Sequence, residues 1–172
     1  RDPEMSRGLG DVYKRQTITL GQRHILFEMG ETELICRRLE GDFLDYKNAI
    51  PRRNPISVTV DTKAMLESLD RVSVVISEKL KSPVRCIFEQ DRVLLSAKTA
   101  NGDAKDVCRI DGDGQGLEIG FNNRYLMDAL RFAPADELKL ELNTGISPAI
   151  LVPTDGEESF LYMVLPVRLK AQ

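Results

Sequence analysis

The chain contains 172 residues, of which 42% are hydrophobic and 30% are charged, and its formal net charge is −3. This composition excludes a disordered or collagen-like protein and can supply one ordinary domain with a packed core. The acidic balance excludes a generally basic nucleic-acid-binding coat, but it leaves room for a local basic face. No apolar stretch approaches the roughly 20 residues of a membrane-spanning helix, so no membrane partner is expected.

The three cysteines, Cys36, Cys86 and Cys108, lie far apart within β-like runs. The chain has no Cys-x-x-Cys pair, and its only histidine is His24. This spacing is typical of structural thiols in a reducing compartment and argues against zinc. The sequence therefore predicts a cytoplasmic protein without a metal site or a cofactor.

Residues 1–16 show neither helical nor strand periodicity. They are basic and contain glycine, but they lack the apolar centre of a signal peptide. We interpret them as a non-native remnant of a vector or of sequence assembly. On this interpretation the chain is a fragment whose natural sequence is cut off at about Thr17.

The residues from Thr17 onward form short apolar or alternating runs separated by polar turns: TITL, HILFEM and ELICRRL. Such runs predict antiparallel strands. Residues 41–55 then combine two prolines with aromatic and charged residues, which predicts a linker because proline cannot donate to a strand ladder. The linker therefore separates a first unit from a second.

One pattern occurs twice in the second unit. Residues 57–69 form a short strand that runs into a helix capped by Asp61, and residues 120–130 repeat this 61 positions later with Asn122 as the cap. Both side chains can accept a hydrogen bond from a free amide of the first helical turn.

Strands are predicted after each helix of this repeat. VRCIFEQ, RVLLSAKT and AKDVCRI follow the first helix, and LKLELN, AILVPT and SFLYMVLPVRL follow the second. Turns are predicted at Gln90-Asp91, Asn101-Gly102 and Asp155-Gly156. The predicted fold is therefore α+β, a duplicated strand–helix–three-strand unit with two helices packed on antiparallel sheet.

No motif indicates an enzyme. The stretch DGDGQG at residues 111–116 begins like a calcium loop, but its twelfth position is Asn122 instead of glutamate, so we interpret it as a glycine-rich turn. The acidic residues beside Arg71 and Arg131 are explained by ion pairs at helical spacing. A hydrolase or transferase would need a catalytic constellation, and the sequence shows none.

Four cations lie on the predicted outward faces of the two repeated helices: Lys63, Arg71, Arg124 and Arg131. Simple solvation explains any one of them. Together they suit contact with the backbone of a polyanion, without base reading and with strong salt dependence.

The C-terminal run of residues 161–169 is apolar except for Arg168, and it contains Pro166. A proline late in a strand indicates that the ladder ends there. The run has two interpretations, since its methionine and aliphatic residues suit a core strand and also a groove for an apolar peptide.

Four motifs, in order and spanning residues 17–169, resemble the bacterial DNA polymerase III beta subunit, the replication sliding clamp. YMVLPVRL is similar to the family's Tyr-x-x-Met-Pro-Met-Arg-Leu terminus, and LEGDFLDYKNAIPRRNP resembles its Gly-x-Phe-Pro-Asp-Tyr linker. GFNNRYLMDAL resembles its Gly-Phe-Asn-x-x-Tyr-Leu-x-Asp-x-Leu helix, and SEKLKSPVR its Ser-Asn-Glu-Lys-type turn.

The resemblance implies a DNA-clamp fold with three similar domains per subunit. Residues 17–53 would be the last strands and linker of the second domain, and residues 54–169 the third domain. Two subunits would join head to tail into a ring around duplex DNA, with DNA polymerase III and the clamp loader among its partners. This chain alone is expected to be monomeric or to associate in a non-native way.

The resemblance also implies functional residues. A pocket between the second and third domains would bind a short linear motif of polymerases and other replication and repair proteins. Its walls would comprise Leu44, Asn48, Ala49, Asn122, Tyr125, Ile146, Pro148, Met163, Val164, Leu165, Pro166, Val167 and Arg168. Val74 and Val75 would contact the neighbouring subunit, and the four helix cations would face DNA.

An alternative hypothesis is a stand-alone α+β peptide-binding module that does not encircle DNA. It predicts a complete natural start near Thr17. The clamp hypothesis instead predicts homologous coding sequence upstream of that position.

Overall fold

Two compact units, one ending at Asp45 and the other starting at Tyr46, are each built mainly from antiparallel strands. The computed structural model describes residues 16–41, 43–51, 53–76, 82–156 and 159–169. Residues 1–15 of the predicted foreign segment, the tail 170–172 and the first five residues of SEKLKSPVR lie outside these described residues.

The first unit is a three-stranded sheet in the order β1-β2-β3. Its strands are β1 (Thr17–Leu20), β2 (His24–Met29) and β3 (Thr32–Arg37), and they confirm the three predicted strands. Ile18, Phe27 and Leu34 lie opposite one another across the sheet. Since side chains alternate between the two faces of a strand, this register places the alternating apolar residues on one face.

The second unit contains a six-stranded antiparallel sheet in the order β5-β6-β4-β7-β8-β9. Its elements in chain order are α1 (Tyr46–Ala49), β4 (Ile56–Asp61), α2 (Thr62–Ser73), β5 (Val84–Thr99), β6 (Gly102–Phe121), α3 (Asn123–Phe132), β7 (Glu137–Leu142), β8 (Ala149–Pro153) and β9 (Tyr162–Val164). The predicted linker thus contains one unforeseen helical turn, α1. The predicted α+β class with two long helices is confirmed.

The end of the chain returns to the strand that precedes α3. Phe121 forms an isolated antiparallel bridge with Pro166, and the amide of Val167 donates to the carbonyl of Gly120 at 2.7 Å. The sheet order alone would leave β9 far from β6. These contacts join the two, so the terminal residues lie beside the start of α3.

Both predicted helix caps are confirmed. The carboxylate of Asp61 accepts from the amide of Ala64 at 2.7 Å, and the side-chain oxygen of Asn122 accepts from the amide of Arg124 at 3.0 Å. Each helix then buries one apolar side, with Leu69 of α2 and Leu130 of α3 in the common core. The two helices also pack against each other.

Two predicted turns in the first half of the repeat are wrong. Gln90 and Asp91 lie inside the continuous strand β5, where the register shifts on both sides of Gln90. The DGDGQG stretch lies inside β6. Among the described residues, two strands, β5 and β6, therefore follow α2, whereas three strands follow α3. The predicted turn at Asn101-Gly102 is confirmed to within one residue, since Ala100 and Asn101 form the loop of the β5–β6 hairpin and Gly102 begins β6.

The glycines of this stretch bend β6 without reversing the chain. Gly112 and Gly116 have φ values of 116° and 70°, and Gln115 has a φ of 56°. Gly114 lies directly against the backbone and Cβ of Phe88, where a side chain would not fit. At both register shifts the extra residues belong to β6, and bulges of this kind increase the local twist of a strand pair.

The three cysteines are free thiols, and Cys86 and Cys108 are buried. Burial raises the pKa of the Cys86 thiol well above its ordinary value. Burial also raises the pKa of Cys108, with smaller contributions from the nearby carboxylates of Asp106 and Asp61. Both thiols therefore stay protonated and act as small apolar side chains.

Within the described ranges, none of the helices has the length and apolarity needed to cross a bilayer.

Candidate functional site

The terminal strand presents alternate side chains to the core and to the surface. Val164 is only 4% exposed and faces the core, whereas Leu165 is 62% exposed. Met163 lies on the side opposite Val164 and pairs with Ile150 of β8. Pro166 and Val167 are half-buried against the end of β6, and Arg168 is exposed. The strand thus offers an apolar edge beside α3.

The loop that leads into β8 borders one side of this edge. Ala149 pairs with Val164, so the half-buried Pro148 comes just before the paired residues. Gly145 approaches β6 closely, because a Cβ at this position would lie 2.5 Å from the carbonyl oxygen of Glu118. The next residue, Ile146, is 75% exposed. An apolar side chain therefore projects from a loop that packs on β6.

The first turn of α3 borders the other side. Asn122 follows Phe121, the bridge partner of Pro166, and it caps the helix. Tyr125 lies one turn further along and is 64% exposed. The cap sets the first residue of the helix. It therefore also sets the position from which the Tyr125 side chain projects.

We call this set the terminal-strand surface. It comprises Asn122, Tyr125, Ile146, Pro148, Met163, Leu165, Pro166 and Val167. Within it, Tyr125, Ile146 and Leu165 are large, apolar and exposed. An ordinary surface exposes such residues singly, whereas a group of them is typical of a binding site.

Of the remaining pocket residues predicted from the resemblance, Val164 faces the core and Arg168 is exposed on the terminal segment. Leu44 belongs to the first unit and is exposed, and Asn48 and Ala49 are exposed on α1.

The four predicted helix cations are all exposed, but three of them lie beside carboxylates. Arg124 and Arg131 approach Asp128 at 3.8 Å and 3.5 Å. Exposed ion pairs of this kind are worth about 0–1 kcal/mol, so both guanidinium groups can exchange Asp128 for another anion. Lys63 borders a shallow groove of about 530 Å³ whose lining also includes Glu67 and Asp111.

Arg71 differs from the other cations because its partner lies on the sheet. Its guanidinium group pairs with Asp106 of β6 at 2.8 Å and donates to the hydroxyl of Ser68 at 3.0 Å. Burial opposes ionisation of Asp106, but hydrogen bonds from the Val107 amide, Ser68 and Arg71, with the charge of Arg71, outweigh it and lower the Asp106 pKa. The helical-spacing partner expected for Arg71 is therefore wrong.

The two residues predicted at a subunit contact lie at the end of α2. Val74 is 83% exposed, whereas Val75 is half-buried against the core. The Thr99 hydroxyl donates to the carbonyl of Val75 at 3.0 Å. Val74 is thus an exposed apolar side chain on a helix end that the β5–β6 hairpin holds.

Sequence reasoning did not find Thr99, Asp106 or Tyr162, whose hydroxyl donates to the carbonyl of Phe132 at 3.0 Å. All three act across long sequence separations, where a single sequence offers no local signal.

Among the described residues, no group of three or more His, Cys, Asp or Glu side chains is placed to hold a metal ion.

A family model described as "DNA polymerase III beta subunit, C-terminal domain" matches residues 47–168. The beta sliding clamp of Synechocystis sp. is 32% identical over 166 residues, which are 95% of this chain and 41% of that protein. The chain thus spans less than half the length of this curated relative.

Solved structures agree with the sequence comparison. The DNA polymerase sliding clamp from Caulobacter crescentus has a TM-score of 0.81 at 25% identity, covering 97% of this chain and 44% of that one. The DNA polymerase III beta subunit from Bartonella birtlesii, bound to griselimycin, has a TM-score of 0.78 at 28% identity, covering 90% of this chain and 41% of that one.

Proposed function

Because the chain belongs to the DNA polymerase III beta subunit family, we propose that it is the C-terminal part of a sliding clamp, a processivity factor without catalytic activity of its own. The family match confirms the resemblance in the sequence motifs, and the likeness to solved clamps confirms the clamp fold. The share of its relatives that the chain covers supports the assignment of residues 17–53 to the end of a second domain and 54–169 to a third.

The terminal-strand surface is proposed to bind a short linear motif of the replicative polymerase, of the clamp loader and of other replication and repair proteins. The observation that carries this proposal is the exposed apolar set around Leu165. Burying one leucine or phenylalanine anchor there supplies about 2–3 kcal/mol, which suits partners that exchange readily. Leu44, Asn48, Ala49 and Arg168 are proposed to border the same pocket in the complete subunit.

The helix faces that carry Lys63, Arg71, Arg124 and Arg131 are proposed to line the DNA channel of a ring formed by two head-to-tail subunits. Their cations are exposed but share their surroundings with carboxylates. Weak, salt-dependent contacts to phosphates would let the ring slide, because ring topology and not affinity retains it on DNA. Val74 and Val75 are proposed to contact the neighbouring subunit.

The free thiols of Cys36, Cys86 and Cys108 support a reducing compartment, so we place the protein in the bacterial cytoplasm.

The peptide site is tested by fluorescence anisotropy. A fluorescein-labelled short peptide with a Leu-Phe anchor is titrated with this chain, and the same peptide with both anchors replaced by alanine is the reference. Leu165→Asp places a charge on the exposed apolar edge, and we expect it to abolish binding. The matched control is Leu161→Asp, since Leu161 is 44% exposed on the same terminal segment but outside the terminal-strand surface.

Unchanged affinity for Leu165→Asp would overturn the pocket assignment. Equal losses for both aspartate variants would also overturn it, because they would indicate general damage to the terminal segment.

The ring is tested by the coding sequence upstream of the Thr17 codon. A continuation in frame that encodes further strand–helix–strand repeats is expected for a clamp. A start codon at that junction would instead favour the stand-alone peptide-binding module.

A further inference from the structure

An exposed apolar residue, Val74, ends α2. Val74 is the C-cap residue, with φ −54° and ψ −32°, and its side chain is 83% exposed. Ile76 turns back through a 2.8 Å hydrogen bond from its amide to the carbonyl of Ser73. The last carbonyls of a helix lack partners within the helix, so groups outside it decide how this turn is held.

The tip of the β5–β6 hairpin supplies such a partner. The Thr99 hydroxyl donates to the carbonyl of Val75 at 3.0 Å. The Thr99 hydroxyl oxygen also accepts a hydrogen bond from the amide of Asn101 at 3.1 Å. The hydroxyl therefore joins the hairpin turn to the residue directly after Val74.

The same hairpin holds α2 a second time, one helical turn earlier. Asp106 of β6 pairs with Arg71, and Val75 and Ile76 pack partly buried against the core. The bond from Thr99 lies beyond the last turn of the helix. Together these contacts hold the segment that carries Val74.

We propose that Thr99 is a positioning residue for the subunit joint: its hydroxyl holds the end of α2 so that Val74 is presented to the neighbouring subunit in one orientation. This inference rests on the proposed head-to-tail ring. It identifies the Thr99 hydroxyl as the group that orients Val74 on one side of the subunit contact. Without the bond, the segment that carries Val74 would lose one of its restraints, and association would have to order it.

The test uses the complete subunit that contains this chain, with the dimer dissociation constant measured by sedimentation. Thr99→Val keeps the branched shape but removes the hydroxyl, and we expect the constant to rise about fivefold, as the loss of one hydrogen bond implies. Thr99→Ser keeps the hydroxyl and is expected to stay within about twofold of the unaltered subunit. Val74→Asp, which places a charge at the contact itself, should dissociate the dimer.

Amide hydrogen exchange separates positioning from a local role in the hairpin. Thr99→Val is expected to speed exchange at Ile76, which reports the last turn of α2, and at Asn101, which reports the hairpin. Faster exchange at Asn101 alone, with an unchanged dimer constant, would overturn the proposal. An unaltered subunit that stays monomeric would overturn the ring and this inference with it, whereas an intact dimer insensitive to Thr99→Val would overturn only the inference.

Discussion

The amide of Val167 donates a 2.7 Å hydrogen bond to the carbonyl oxygen of Gly120, and this contact sets the terminal residues against the strand that leads into α3. The approach leaves no room for a side chain at position 120. A Cβ there would lie 2.6 Å from the carbonyl oxygen of Val167 and 2.6 Å from Cδ2 of Leu169. The glycine is therefore required by close packing.

We expect Gly120→Ala to displace the terminal segment. One of the two colliding atoms belongs to the backbone, so rotation of a side chain cannot relieve the clash, and overpacking of this kind costs roughly 1–3 kcal/mol. Urea unfolding should show this loss of stability. Peptide binding measured by anisotropy should weaken as well, because Leu165 lies on the displaced segment.

The control is Gly156→Ala. Gly156 has a φ of 80° and no atom within 4 Å of its Cβ position. Only the left-handed conformation is penalised there, at about 1–2 kcal/mol, and peptide affinity should not change. If Gly120→Ala bound the peptide as tightly as the control, the terminal segment would not depend on this approach.

The two helix caps should separate stability from binding. Asp61→Ala and Asn122→Ala each remove a side-chain acceptor from a first-turn amide, and we expect each to lower the free energy of unfolding by about 1 kcal/mol. Only Asn122 lies in the terminal-strand surface, so only Asn122→Ala should also weaken peptide binding.

The cap assignment has its own conservative controls. Asp61→Asn and Asn122→Asp retain an acceptor oxygen and should stay close to the unaltered chain in urea unfolding. Losses as large as those of the alanine variants would show that the helices do not depend on these hydrogen bonds.

Features set by neighbouring residues were predictable from the sequence. The caps at Asp61 and Asn122, the three strands of the first unit and the Asn101-Gly102 hairpin all follow from local chemistry. In each of these cases the residues that determine the feature lie within a few positions of it. The 61-residue offset also identified the two matching helices, but not the unequal number of strands after them.

Features set by distant partners were not predictable. Asp91 and the DGDGQG stretch carry the residues of a turn, and they do adopt left-handed conformations, but pairing between β5 and β6 turns these conformations into bulges. Arg71 has acidic neighbours at helical spacing, yet it pairs with Asp106, 35 positions away. A single sequence indicates where the backbone conformation is unusual and where charged side chains lie. It does not indicate which distant residues pair with them.

The Arg71–Asp106 pair should make stability depend on pH in the acid range. The Asp106 pKa is lowered in the folded chain, so the unfolded chain binds more protons as pH falls past the ordinary aspartate value of about 3.9. The contribution of Asp106 is therefore complete above that value and disappears as pH falls through the lowered folded pKa. Urea unfolding between neutral and acidic pH should show the decline.

Asp106→Asn removes the titrating group and should lower stability at neutral pH by about 1 kcal/mol. The variant should also lose part of the acid-dependent decline. Asp103→Asn, an exposed substitution on the same strand, should leave both quantities unchanged. Parallel pH profiles for Asp106→Asn and the unaltered chain would refute this role of the pair.

The hydroxyl of Tyr162 connects β9 to the end of α3, since it donates to the carbonyl of Phe132 at 3.0 Å. Tyr162→Phe removes this bond without changing the ring, and we expect the free energy of unfolding to fall by about 0.5–1.5 kcal/mol in urea titrations. Tyr125→Phe is the matched control, because Tyr125 is exposed and its loss of a hydroxyl should leave stability unchanged. Equal stability of both variants would mean that the Tyr162 hydroxyl does not help to hold β9, which its pairing with β8 and the contacts at Gly120 would then secure.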